Sequence, residues 1–123
     1  MEKLWGSIGF ENHKIQCVIG HNPEERISPQ DIYIDLKVKA DFYKASQTDS
    51  LKDTVDYVAL ADLCRDLARS RSYHLMETFA ADILRHLHLK FDIKWAYLKI
   101  KKPSAIDSAD FTFVELEMNK EQL

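Results

Sequence analysis

Glycine is nearly missing from this chain: Gly6, Gly9 and Gly20 are the only three in 123 residues. They are too few and too scattered for a loop that cradles phosphates, and no serine sits between glycines in the pattern of a nucleophile elbow. Cysteine is equally sparse. Cys17 falls in a strand-like run and Cys64 on a helical apolar face, so they read as two reduced packing thiols rather than a disulfide. There is no basic block: 17 Lys+Arg stand against 20 Asp+Glu for a net charge of −3, which disfavours a nucleic-acid partner. No apolar stretch is long enough to cross a membrane, and Met1 to Gly6 lacks the apolar core of a signal peptide, so the expected location is the cytoplasm with no membrane partner. Histidine does not offer a metal site. His86 and His88 are two apart on a helix, hence about 200° apart around it, and His13, His21 and His74 share no ligand spacing.

What is present suits a globular protein: 46% hydrophobic and 30% charged residues, with no repeat, low-complexity tract or linker. Residues 1–123 are read as a single domain. The apolar stretch from Leu4 through Phe10 and again from Lys14 to Ile19 predicts a strand broken by a kink or turn at Glu11-Asn12-His13. Gly20 to Pro29 is a polar loop carrying His21, Pro23, Glu24 and Glu25. Ile32, Ile34, Leu36, Val38 and Ala40 then alternate with Tyr33, Asp35, Lys37 and Lys39, a half-buried strand. The period changes at Leu60, Leu63, Cys64, Leu67 and Ala68, which mark a helix with Asp56 placed to cap it and Tyr57 in its first turn. Met76, Phe79, Ala80, Ile83, Leu84 and Leu87 mark a second helix, with Glu77 at the edge of the apolar stripe. Strands are expected at Trp95–Lys102 and Phe111–Met118. The order is ββααββ, an α+β fold: a four-stranded antiparallel sheet with two helices on one face. The other face would carry Lys37, Lys39, Lys99 and Lys101 among Glu115 and Glu117, with Tyr33, Trp95, Tyr97 and Phe113. It is either a solvated face with charges paired across strands, or the lining of a barrel made by several copies joined edge to edge.

Four polar groups at element ends could do chemistry. In Trp95-Ala96-Tyr97-Leu98-Lys99-Ile100-Lys101-Lys102 the apolar register Ala96, Leu98, Ile100 ends on Lys102, so this lysine continues the core-facing row. Its ammonium either snorkels to water, or is paired or shifted and becomes a proton-transfer candidate. Glu25 in the loop, Tyr57 at a helix start and Glu77 on a stripe margin each have an ordinary surface or packing reading alone. Together with Lys102 they offer a carboxylate to grip an amide-like ring edge, a lysine to move a proton and a phenol to return it.

At these positions the sequence resembles the dihydroneopterin aldolases over nearly its whole length. The resemblance rests on Ile19-Gly20 followed by Glu25, Thr48-Asp49, Asp53-Thr54-Val55-Asp56-Tyr57, Leu75-Met76-Glu77 and Ile100-Lys101-Lys102-Pro103, in that order. It implies a tunnelling fold whose sheets join into an oligomeric barrel, tetrameric rings stacked as a homo-octamer, with active sites between subunits. It also implies a lyase of folate biosynthesis that uses no metal and no cofactor, cleaving 7,8-dihydroneopterin by a retro-aldol step to 6-hydroxymethyl-7,8-dihydropterin and glycolaldehyde. Glu77 would hold the pterin edge, with groups near Val55, Asp56 and Met76 completing the substrate site. Lys102, with Glu25 and a water, would take the 2′-hydroxyl proton, and Tyr57 from a neighbouring subunit would help protonate the enol. The related dihydroneopterin triphosphate 2′-epimerase resembles the chain similarly, and a catalytically silent pterin-binding or scaffold oligomer is the alternative of a different class. Asp56 before the tyrosine, Pro23, and Ser104-Ala105-Ile106 after the Lys-Pro pair depart from the commonest pattern, in places that bear on the preference for the substrate's side chain.

Overall fold

A computed structural model describes residues 2–123. Four strands form one antiparallel sheet in the order β1-β2-β3-β4: β1 Trp5–Cys17, β2 Gln30–Asp41, β3 Trp95–Lys102 and β4 Thr112–Asn119. Helices α2 (Tyr57–Ser70) and α3 (Met76–Lys90) cover one face, α2 against β1 and α3 against β3 and β4. A short α1 (Tyr43–Thr48) follows β2. Among the described residues no helix is long and apolar enough to cross a membrane.

The expected alternations hold. Ile32, Ile34, Leu36, Val38 and Ala40 of β2 and Ala96, Leu98 and Ile100 of β3 are buried under the helices with Leu60, Cys64, Phe79, Ile83 and Leu87. Cys17 and Cys64 are both free and buried. Asp56 caps α2, its side chain accepting from the Val58 N–H at 2.9 Å, which satisfies one of the first-turn donors that a helix leaves open. Val114 and Leu116 of β4, an edge strand, are only half-buried.

The predicted break in the first strand is a β-bulge inside a continuous β1. Phe10 pairs with Leu36 and His13 with Ile34, so Glu11 and Asn12 together face Asp35. Asn12 takes φ 53°, a left-handed conformation that asparagine tolerates. Its N–H donates to Asp35 Oδ1 at 2.7 Å and its side-chain oxygen accepts from Lys101, which also pairs with Asp35 at 3.2 Å. The extra residue reverses which parity points inward: Ile8 and Phe10 before the bulge, Ile15 and Cys17 after it.

On the open face the charges are only partly paired within one chain: Lys101 bridges to Asp35, while Lys37, Lys39 and Lys99 make no ion pair among the described residues. Tyr97 donates to Glu115 at 2.5 Å, and Lys99 lies opposite Glu115 and over the Phe113 ring. Both sheet edges, β1 and β4, are left without a partner strand in the single chain.

Candidate active site

Lys102 closes the buried row of β3 and is only 8% exposed. It is paired, not snorkelling: its Nζ donates to Glu25 Oε2 at 2.7 Å, bridging 77 residues of sequence. The pair exists because two chain ends converge. β3 runs out at Lys102 beside the start of β2, and the loop from Gly20 folds into a single 3-10 turn, Pro23–Arg26, that turns Glu25 back toward it. Gln30 donates to the same Glu25 oxygen at 3.3 Å and to the Ile19 carbonyl at 2.8 Å, and the Asn22 N–H approaches the other oxygen at 3.4 Å. The hydrogen bond from Lys102 is the main reason the Glu25 carboxyl is held below the usual carboxylate range; burial opposes it, and Gln30 and Asn22 add to it. Glu25 is therefore ionised near neutral pH, a fixed acceptor for the lysine's protons.

Gly20 is what lets the loop close. At φ +144° it occupies a conformation that side-chain-bearing residues avoid, and a Cβ there would land 2.5 Å from Glu25 Oε1. Gly20→Ala is expected to displace the carboxylate and lower kcat/KM by roughly tenfold or more with the fold retained, as misplacement of a positioned group does. Steady-state kinetics beside a circular-dichroism spectrum check this; wild-type kinetics in the variant would detach the loop from the chemistry.

Arg26 fixes the loop from behind. Its guanidinium donates to the carbonyls of Tyr73 at 2.6 Å, Gly20 at 3.1 Å and Ser72 at 3.1 Å. Tyr73, fully buried, sits opposite Ile19, accepting from the Gly20 N–H and donating to the Val18 carbonyl at 3.1 Å each, and stands three residues before α3. Met76 and Glu77, the first residues of α3, thus lie at the same end of the sheet as Lys102. Glu77 is exposed, and among the described residues its carboxylate has no hydrogen-bond or ion-pair partner within the chain.

Val55, Asp56 and Tyr57 lie at the opposite end. Val55 is packed in a hollow with Ala40, Phe91 and Asp92, at the finish of β2 and just past α3. Tyr33 pairs with Lys101, so Lys102 stands beside Ile32; eight residues further along β2, at ~3.3 Å each, Ala40 is roughly 26 Å away. A single chain therefore brings together Glu25, Lys102 and the Met76-Glu77 turn, but not Tyr57, which is 56% exposed. Val55 and Asp56 go with Tyr57. Sequence reading did not single out Arg26, Gln30 or Tyr73 as parts of the site. Arg26 and Gln30 look like ordinary loop residues, and only a count of the carbonyls left open by the Gly20 loop could have pointed to them.

An acid–base pair at a strand end, on a four-stranded sheet with two covering helices, defines an α+β unit that matches a solved structure. Escherichia coli dihydroneopterin aldolase in complex with neopterin superposes with a TM-score of 0.86 at 23% identity, covering 97% of this chain and 100% of that one. The sequence goes further, since the family model described as dihydroneopterin aldolase matches residues 8–119. The chain belongs to the dihydroneopterin aldolase family. It is 30% identical over 109 residues to the dihydroneopterin aldolase of Methylorubrum extorquens, covering 86% of this chain and 84% of that protein. It is 33% identical over 103 residues to the folic acid synthesis protein FOL1 of Dictyostelium discoideum, covering 84% of this chain but spanning only 16% of that longer protein.

Proposed function

We propose that the chain is a dihydroneopterin aldolase whose active site forms between two copies. The observation that carries this reading is the Lys102–Glu25 pair, 2.7 Å long and nearly buried, at the same end of the sheet as an exposed Glu77 that has no partner among the described residues. Glu77 is free to take the amino-pyrimidinone edge of a pterin through paired hydrogen bonds, beside the backbone of Met76. Lys102, held in place by Glu25 and giving up a proton to water, then accepts the proton of the substrate's 2′-hydroxyl. The C2′–O bond becomes a carbonyl, the C1′–C2′ bond breaks, and its electron pair moves into the dihydropterin ring. Glycolaldehyde leaves, and the enol left at C1′ is protonated to the hydroxymethyl product with help from Tyr57.

Tyr57 has to come from another copy because of the distance along β2. Exposed apolar side chains favour such a junction at both ends: Leu75, Ile27 and Ile106 near Lys102, and Leu51, Tyr57 and Val58 at the far end. The unpaired edges of β1 and β4 favour copies joined edge to edge, closing a barrel over the charged face. Stacked tetrameric rings, and a cytoplasmic location, belong to the same reading.

The hollow beside the catalytic pair favours the aldolase over the triphosphate epimerase. It measures about 380 Å³, and its polar lining is Asn22, Glu24, Glu25, Ser28, Gln30 and Ser104, with two carboxylates and no lysine or arginine. A hydroxylated side chain suits these groups; a triphosphate would meet like charge. Incubation with 7,8-dihydroneopterin is expected to release glycolaldehyde. Inversion of the triphosphate without release would replace this reading by the epimerase, and binding without turnover would replace it by the scaffold.

A further inference from the structure

A second concavity lies on the helix-covered side, where the last turns of α2 diverge from β1. It encloses about 680 Å³ over a floor of Ile15, Cys17 and Val18, with Ala68 too small to fill the gap. Lys14, Arg65, Arg69 and Arg71 line it, four of the chain's 17 Lys+Arg, and no carboxylate does. In a chain of net charge −3 this local excess does not follow from composition. The acids that touch these cations lie outside the lining: Asp31 is 3.5 Å from Lys14, Asp62 is 3.0 Å from Arg65, and Asp82 is 3.4 Å from Arg71. Asp82 is also shared, with Arg85 at 2.6 Å and the Tyr73 hydroxyl at 3.0 Å, so Arg71 is only partly compensated. Arg69 has no acidic partner among the described residues.

We propose that this cleft is a second ligand site, separate from the pterin site, for a small molecule carrying a polyphosphate. Its volume is that of an ordinary small-molecule site. Guanidinium groups match phosphate oxygens in paired hydrogen bonds, and several converging cations call for several negative charges rather than one. The C-terminal dipole of α2 alone would ask for a cation or two, but β1 contributes Lys14 from across the cleft. The half-exposed side chains of Lys14 and Arg65 can turn from their surface acids, whose hold in water is weak, and Arg71 shares its more buried Asp82 with Arg85 and Tyr73.

Calorimetric titration of the intact protein with inorganic triphosphate at low ionic strength tests this, with orthophosphate and a nucleoside triphosphate as parallel probes. Saturable triphosphate binding is expected, weakened by added salt and weakened at least ~10-fold in Arg65→Ala/Arg69→Ala. It should be unchanged in Lys102→Ala, with dihydroneopterin turnover unchanged in the arginine variant. A tighter nucleotide than triphosphate would make the ligand a nucleotide; equal affinity would make it the polyphosphate alone. Absence of binding at millimolar triphosphate, equal binding in the arginine variant, or loss in Lys102→Ala would overturn the proposal. The binding outcomes do not depend on whether the chain cleaves pterins.

Discussion

Lys102→Ala is expected to lower turnover of 7,8-dihydroneopterin by roughly 10²-fold or more while leaving pterin affinity within a few-fold of the wild type. The ammonium sits at the end of an otherwise apolar row and makes one side-chain contact, to Glu25, so its removal takes away a proton carrier without touching the Met76-Glu77 turn. The variant also removes the hydrogen bond that does most to lower the Glu25 pKa, and the Gly20–Arg26 loop keeps its place through Arg26 and Gln30. Lys102→Met, which keeps the stem, should be as slow as the alanine variant. Steady-state kinetics with a fluorescence titration of a bound pterin separate the two quantities. Wild-type turnover in either variant would remove Lys102 from the reaction.

The second large effect is expected at Glu77. Glu77→Ala should weaken pterin binding by roughly 10- to 150-fold, the value of a charge-assisted hydrogen-bond pair of about 1.5–3 kcal/mol, and should change kcat far less than Lys102→Ala does. Because the carboxylate has no partner within the chain among the described residues, thermal stability should barely move beyond a small helix-dipole term. A titration that gives wild-type affinity would place the ring edge elsewhere. A variant that lost affinity and stability together would make Glu77 a structural residue.

Much of this architecture is legible in the residues because the periods are clean. β2 and β3 alternate without a break, and α2 and α3 carry stripes at 3.6 spacing, with Asp56 in a position only a cap explains. α1 is not legible: Tyr43–Thr48 buries no side chain, shows no stripe and is closed by Asp49 in a left-handed conformation at φ 54°. The buried side of Lys102 could be read from alternation, but its partner could not. Glu25 lies 77 residues away in a loop with no period; it is one of four polar groups at element ends, and only the resemblance couples it to Lys102. Arg26 is harder still, since its work is on three backbone carbonyls, and backbone groups carry no signature in a sequence. That Val55, Asp56 and Tyr57 lie about a strand's length from Lys102 within one chain follows only once the strand pairing is known.

One supernumerary residue in β1 decides how the first strand delivers the Gly20–Arg26 loop. Without the one extra residue that sets Glu11-Asn12 opposite Asp35, the phase of β1 would invert downstream, sending Ile15 and Cys17 to the wet side and rotating Gly20 away from Glu25. The hairpin can therefore gain or lose residues between Phe10 and Gly20 only in twos, and the geometry around Lys102 is keyed to a side chain on the far surface of the sheet.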